Sequence, residues 1–202
     1  MRVGLLGGTF DPIHLGHLAA AATAAGCAEL DSVLLVPAGR PPHKGDALAS
    51  VEHRLAMCRL AAAELPGLGV WDWEARRSGP SYTVDTLEAF HAQRPDDEPS
   101  LILGWDAARD LPKWHRPADV LALARLVIVG RPGMSEPRED DLRSAGIDPR
   151  RATLCLGPTP DVAATRIRDL AGGGESLAGL VPPAIETYIR ANRLYDGPRE
   201  TA

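Results

Sequence analysis

No stretch of this 202-residue chain is apolar for long enough to cross a bilayer, and the opening MRVGLL runs straight into glycines without the apolar core of a leader. These absences predict a cytoplasmic protein with no membrane contact. Charge of neither sign dominates: 22 Lys and Arg stand against 27 Asp and Glu, a net −5, which excludes a broad basic footprint for nucleic acid or anionic lipid. Cysteine is scarce, with Cys27, Cys58 and Cys155 odd in number, far apart and outside any C-x-x-C spacing. That pattern argues against a disulfide framework and a thiolate zinc site, and predicts three small buried apolar residues. The G-K-[ST] and G-x-G-x-x-G phosphate signatures are both missing, and no internal repeat is visible.

What is present is an alternation of strands and helices. Residues 2–6 read as a strand, 15–26 as an alanine-rich helix and 33–37 as a second strand, together a βαβ unit. Behind a Ser50 cap, residues 50–65 form a helix expected to bury Val51, Leu55, Cys58, Ala62 and Leu65. Further strands are expected at 70–74, 101–104, 126–129 and 152–156. Helices are expected at 83–93, with Val84, Leu87 and Phe90 as the stripe, and at 117–124, 165–170 and 182–192. The segment RPGMSEPRED reads as a surface connection. This pattern predicts an α/β fold, a doubly wound, Rossmann-like parallel sheet with helices on both faces. It forms one domain over 1–202 with a small C-terminal helical part at about 162–195, and ligands sit beyond the carboxyl ends of the strands.

The stretch GGTFDPIHLGH, residues 7–17, lies at such a strand end. Gly7 and Gly8 let the backbone turn and approach a ligand, and the helix that follows begins with unpaired N–H groups and a positive dipole end. His14 and His17, three apart, project from one face of its first turn, where imidazoles can donate to a polyphosphate. Taken alone, these residues also describe a glycine turn with two surface histidines, and a metal pair is another option. Metal ligation has no third-ligand motif nearby, since His43, His53, His91 and His115 are scattered.

The full stretch Gly7-Gly8-Thr9-Phe10-Asp11-Pro12-Ile13-His14-Leu15-Gly16-His17 resembles the opening motif of the nucleotidyltransferase superfamily with an H-x-G-H core, most closely bacterial nicotinate-nucleotide adenylyltransferases. Matching segments follow in the family's order: Pro41-Pro42-His43-Lys44, residues 81–87 (SYTVDTL), Gly104-Trp105-Asp106, residues 111–114 (LPKW) and Thr165-Arg166-Ile167-Arg168. The resemblance implies that ATP and nicotinate mononucleotide are substrates, joined by direct attack on the α-phosphorus with release of pyrophosphate. Mg²⁺ would be held mainly through the ATP phosphates, with no protein metal site. His14, His17, Lys44 and Arg168 are then the catalytic set. Gly7, Gly8, Thr9, Phe10, Gly104, Asp106 and Thr165 join His14, His17 and Arg168 around ATP. Lys44, Tyr82, Thr83, Trp114 and His115 receive the mononucleotide, with Trp114 stacked on the pyridine ring. Trp71 and Trp73 match no functional position and are assigned to packing.

Two departures from the family stand out. The family commonly reads I-S-S-T-x-I-R where this chain has Val162-Ala163-Ala164-Thr165-Arg166-Ile167-Arg168, so two hydroxyls near the nucleotide are missing. Trp105 replaces a small residue and either shields the site or packs away from it. A nicotinamide mononucleotide or dual-specificity enzyme, a nucleotide-binding subunit without turnover, and self-association all remain open on the sequence.

Overall fold

Six parallel strands carry the apolar runs, in the spatial order β3-β2-β1-β4-β5-β6. They are β1 (Arg2–Gly8), β2 (Ser32–Pro37), β3 (Leu68–Val70), β4 (Glu98–Gly104), β5 (Arg125–Val129) and β6 (Ala152–Cys155). The structure, a computed structural model, describes residues 1–40, 47–130, 133, 136–157 and 159–196. Among these the helices are α1 (Leu15–Cys27), α2 (Val51–Ala63), α3 (Thr83–Gln93), α4 (Trp105–Asp110), α5 (Pro117–Leu123), α6 (Glu139–Ser144), α7 (Ala164–Gly172) and α8 (Pro183–Ala191). None is long and apolar enough to cross a membrane.

Strand residues alternate between the two faces, and each face closes its own core. Leu6, Ile102, Val127 and Val129 pack with α1, α2, α7 and α8 on one side. On the other, Leu5, Leu101, Leu103, Leu126 and Ile128 pack with α3, α4, α5 and α6. Burial on both faces explains why these strands read as continuous apolar runs. The β1–β2 and β1–β4 pairings lie on opposite edges of β1, which makes the β1/β4 crevice the switch point of the sheet.

Several expectations need correction. The strand expected at 70–74 ends at Val70, and Glu74 instead opens a short 3-10 turn, Glu74–Arg76, and is buried. Helix α2 turns a different face inward: Arg54, Met57, Cys58 and Ala61 are buried, whereas Leu65 is 40% exposed. Counting only apolar residues misplaced the stripe, because the Arg54 guanidinium finds carbonyl acceptors inside. The Ser50 hydroxyl makes no cap bond to that helix. Helices α4 and α6 were not anticipated. Cys27 and Cys155 form a disulfide, with Cα atoms 5.8 Å apart, and Cys27 is exposed. The end of α1 meets the end of β6 only in the folded sheet, across 128 residues of sequence, so the pair was invisible in the spacing. Cys58 is buried as expected, and burial pushes its thiol up to about 12.

Candidate active site

The carboxyl ends of β1 and β4 open onto a cavity of about 530 Å³. Gly7 belongs to its wall, and a side chain there would point into open space, so the backbone is bare toward the cavity. Gly8 has the opposite reason to be glycine, since a Cβ would come within 3.0 Å of the Phe10 ring. Phe10 adopts φ 51°, tucks its ring into the core and meets His17 edge-on at 4.9 Å.

Helix α1 begins at this turn. His14 is its N-cap, and the His14 main-chain N–H donates to Nδ1 of His17 at 3.3 Å, half of a capping box. The two imidazoles stack with centroids 3.6 Å apart. Gly16 leaves room for them, because a Cβ there would approach Nδ1 of His14 to 3.0 Å.

The far wall is built by the start of α3 and the 3-10 turn Leu111–Lys113, which bring Tyr82, Thr83, Trp114 and His115 together. The Tyr82 and His115 rings lie 4.4 Å apart. Trp114 lines the cavity and is also packed against the second core, so one ring serves both. The Trp114 main-chain N–H donates to the Leu111 carbonyl at 2.9 Å. Among the described residues the N–H groups of Thr83 and His115 have no main-chain partner, and Thr83 is the first residue of an eleven-residue helix whose positive end lies at the cavity.

Gly7, Gly8, Thr9, Tyr82, Thr83, Trp114 and His115 thus share one cavity. His14, His17 and Phe10 sit together at the α1 end of the turn. Arg168 reaches it from α7, donating through Nη1 to the Asp11 carbonyl at 2.8 Å and through Nη2 to Thr165 Oγ1 at 3.3 Å. Gly104 ends β4 as the N-cap of α4, and half-buried Asp106 lies in its first turn. Trp105 resolves as a packing residue, 7% exposed in the second core. Trp73 stacks on Trp71 at 5.8 Å and lies under the Arg77 guanidinium. His43 and Lys44 lie outside the described residues.

Five residues have no role assigned from the sequence. Glu74 forms part of the cavity wall and accepts from Thr86 Oγ1 at 2.5 Å; burial pushes its carboxyl above the usual carboxylate range, opposed by hydrogen bonds from Thr86 and Ser81. Ser81 in turn accepts the Gly39 N–H at 3.1 Å. Arg54, 2% exposed, donates to the Thr9 carbonyl at 2.7 Å and the Gly39 carbonyl at 3.2 Å. Asp11 and Tyr195 are hydrogen-bonded at 2.7 Å across 184 residues. Asp11 and Ser81 lie within the quoted motif segments, and Arg54 left a trace of its own, since Arg54, Met57, Cys58 and Ala61 follow helical spacing on one face.

A glycine turn feeding a paired-histidine helix at the switch point of a parallel sheet defines a nucleotide-binding α/β protein of the nucleotidyltransferase type. Residues 5–169 match the cytidylyltransferase-like family model. A protein of Pseudomonas entomophila named "Probable nicotinate-nucleotide adenylyltransferase" is 42% identical over 96% of this chain and 94% of its own. A Roseiflexus protein of the same name is 43% identical over 96% and 97%. The fold superposes on the Plasmodium falciparum nicotinic acid mononucleotide adenylyltransferase complexed with NaAD at a TM-score of 0.81, with 18% identity and 96% and 97% of the chains covered. The chain belongs to the nicotinate-nucleotide adenylyltransferase family, and is an enzyme of the nucleotidyltransferase class.

Proposed function

We propose that the chain transfers the adenylyl group of ATP to nicotinate mononucleotide, giving deamido-NAD and pyrophosphate, in the cytoplasm and as one domain. The observation that carries this reading is the single cavity whose near wall is the Gly7-Gly8-Thr9 turn and whose far wall is Thr83, Trp114 and His115. Sharing of the core of α1 and α2 by Ile167, Ala171, Ile185 and Ile189 supports the single domain.

A phosphate oxygen of the mononucleotide attacks the α-phosphorus, and the bond to the β-phosphate breaks as pyrophosphate leaves with its electron pair. No covalent intermediate with the enzyme is needed, so catalysis consists of alignment and charge neutralisation. The Gly7–Thr9 backbone brings ATP close. Because Nδ1 of His17 accepts a main-chain N–H, the hydrogen it offers a phosphate is on Nε2. His14, Arg168 and Lys44 supply further donors and charge, and Gly104, Asp106 and Thr165 complete the ATP side. Tyr82 and Trp114 frame the pyridine ring, and the N–H groups of Thr83 and His115 meet its carboxylate.

Among the described residues no group of three or more His, Cys, Asp or Glu is placed to hold a metal. Mg²⁺ would be held through the ATP phosphates and water, where it would neutralise triphosphate charge.

Pyrophosphate release from ATP and Mg²⁺, followed in parallel with nicotinate mononucleotide, nicotinamide mononucleotide and phosphopantetheine, tests the reading. Turnover with nicotinate mononucleotide supports it. ATP binding without pyrophosphate release from any acceptor overturns it.

A further inference from the structure

The turn between β1 and α1 is neither strand nor helix, yet it must hold His14 and His17 against ATP. It is held from outside. The Asp11 carboxylate, on a residue 6% exposed, accepts the Leu48 N–H at 2.8 Å on one oxygen, and the Ala49 N–H at 3.1 Å and the Tyr195 hydroxyl at 2.7 Å on the other. Its main-chain carbonyl takes the Arg168 guanidinium at 2.8 Å. Two residues earlier, the Thr9 carbonyl is gripped by Arg54, whose other nitrogen holds Gly39 just past the end of β2. Asp11, Arg54 and Tyr195 do not line the cavity. Arg54 and Tyr195 bond the turn directly, at the Thr9 carbonyl and the Asp11 carboxylate, so the turn is the route by which they act on the reaction.

We propose that Tyr195 and Arg54 are positioning residues for adenylyl transfer: Tyr195 through Asp11 and Arg54 through Thr9 fix the turn that presents His14 and His17 to the ATP phosphates. This rests on the adenylyltransferase reading above. Tyr195 comes from beyond α8, so the C-terminal segment supports the turn of the ATP site through Asp11. Burial raises the Tyr195 hydroxyl above its ordinary range, and the hydrogen bond to Asp11 adds to this, which keeps it a donor. The energetic logic favours such a tether. In-line transfer depends on alignment, and a displacement of about 1 Å costs on the order of 10²-fold in rate.

The test is steady-state kinetics on the full chain with both substrates varied. Tyr195→Phe removes one oxygen and should lower kcat/KM for ATP by about tenfold, the scale of a hydrogen bond to a charged group, with the KM for nicotinate mononucleotide unchanged. Asp11→Asn should lower it too, and the double variant should lose less than the product of the two single losses, because both cut one link. Arg54→Lys keeps the charge but loses the fork between two carbonyls, and is read in the same way should Tyr195→Phe fail to fold. A Tyr195→Phe protein that melts lower but retains wild-type kinetics for ATP makes the tether purely structural and overturns the proposal, as do equal losses for both substrates. Wild type is the separate control: if it does not form deamido-NAD, the adenylyltransferase reading fails, whereas active wild type with unaffected variants removes only the positioning role.

Discussion

The main-chain N–H of His14 donates to Nδ1 of His17, and the two rings stack 3.6 Å apart between centroids. A main-chain N–H can only donate, so Nδ1 of His17 is an acceptor and its tautomer is fixed by the helix cap. The same side chain finishes the helix with one nitrogen, and in the proposed reading the other is the donor to substrate.

Those two duties separate by mutation. His17→Ala should lower kcat by about 10² or more, as for other preorganised donors, and lower stability by about 0.5–2 kcal/mol through the lost cap. His17→Asn should recover the stability, because the amide oxygen can accept the His14 N–H, but not the turnover, because the shorter side chain cannot reach the place of Nε2. Thermal melts alongside single-turnover rates check both; near wild-type turnover in a folded His17→Ala protein would remove it from the catalytic set.

Local pattern made part of this molecule legible. The α3 stripe Val84, Leu87 and Phe90 is fully buried at the expected spacing, and Gly7-Gly8 lies at a strand end as the sequence implied. What escaped was long-range and polar. Arg54 is interior only because Thr9 and Gly39 turn their carbonyls toward it, and Tyr195 meets Asp11 from 184 residues away. The alternating VWDWE reads as strand, yet Glu74 leaves the sheet to bond Thr86. In each case the deciding partner lies in another element, where periodicity carries no information.

A preference for nicotinate mononucleotide follows from the far wall of the cavity. The Thr83 and His115 N–H groups suit a carboxylate, whereas an amide would turn its NH₂ donor toward them. An unpaired buried group costs about 1–3 kcal/mol, which corresponds to roughly 5- to 150-fold in kcat/KM. Equal efficiency on the two mononucleotides would sink the assignment of these donors.

Glu74 should make stability depend on pH in a defined direction. Burial raises its folded pKa above the ordinary 4.5, with Thr86, Ser81 and Arg77 opposing the rise and Asp85 adding to it. The folded protein thus keeps a proton that the unfolded chain releases, a contribution present in full below 4.5 and lost as pH rises through the raised folded value. Glu74→Gln cannot ionise. The stability of wild type relative to Glu74→Gln should fall as pH increases from about 4 to about 7. Denaturant midpoints measured at several pH values check this, and a difference independent of pH would mean that Glu74 titrates normally in the fold.

The two alanines that stand where the resemblance implies serines are not equivalent. Ala163 is the N-cap of α7, in an extended conformation at φ −114° and ψ 133°, with no side-chain cap bond; Ala164 is the first helical residue. A serine at 163 is placed to accept the N–H of Thr165 or Arg166, which should stabilise the protein by about 0.5–2 kcal/mol. Those N–H groups are also the ones a phosphate would use at this helix end, so the cap competes with ATP. A serine at 164 lies beyond the cap and leaves them free while adding one donor, worth about 0.5–1.5 kcal/mol, or roughly 2- to 13-fold in ATP affinity. Ala163→Ser should therefore raise Tm without tightening ATP, and Ala164→Ser should tighten ATP with little change in Tm. Calorimetric titration of both single variants and the double variant with ATP, with nicotinate mononucleotide as the control ligand, separates the two effects. If Ala163→Ser tightens ATP as much as Ala164→Ser does, the cap position is not in competition with the phosphates; if neither changes ATP affinity, α7 does not approach the nucleotide through its first turn, and Arg168 acts on the turn at Asp11 alone.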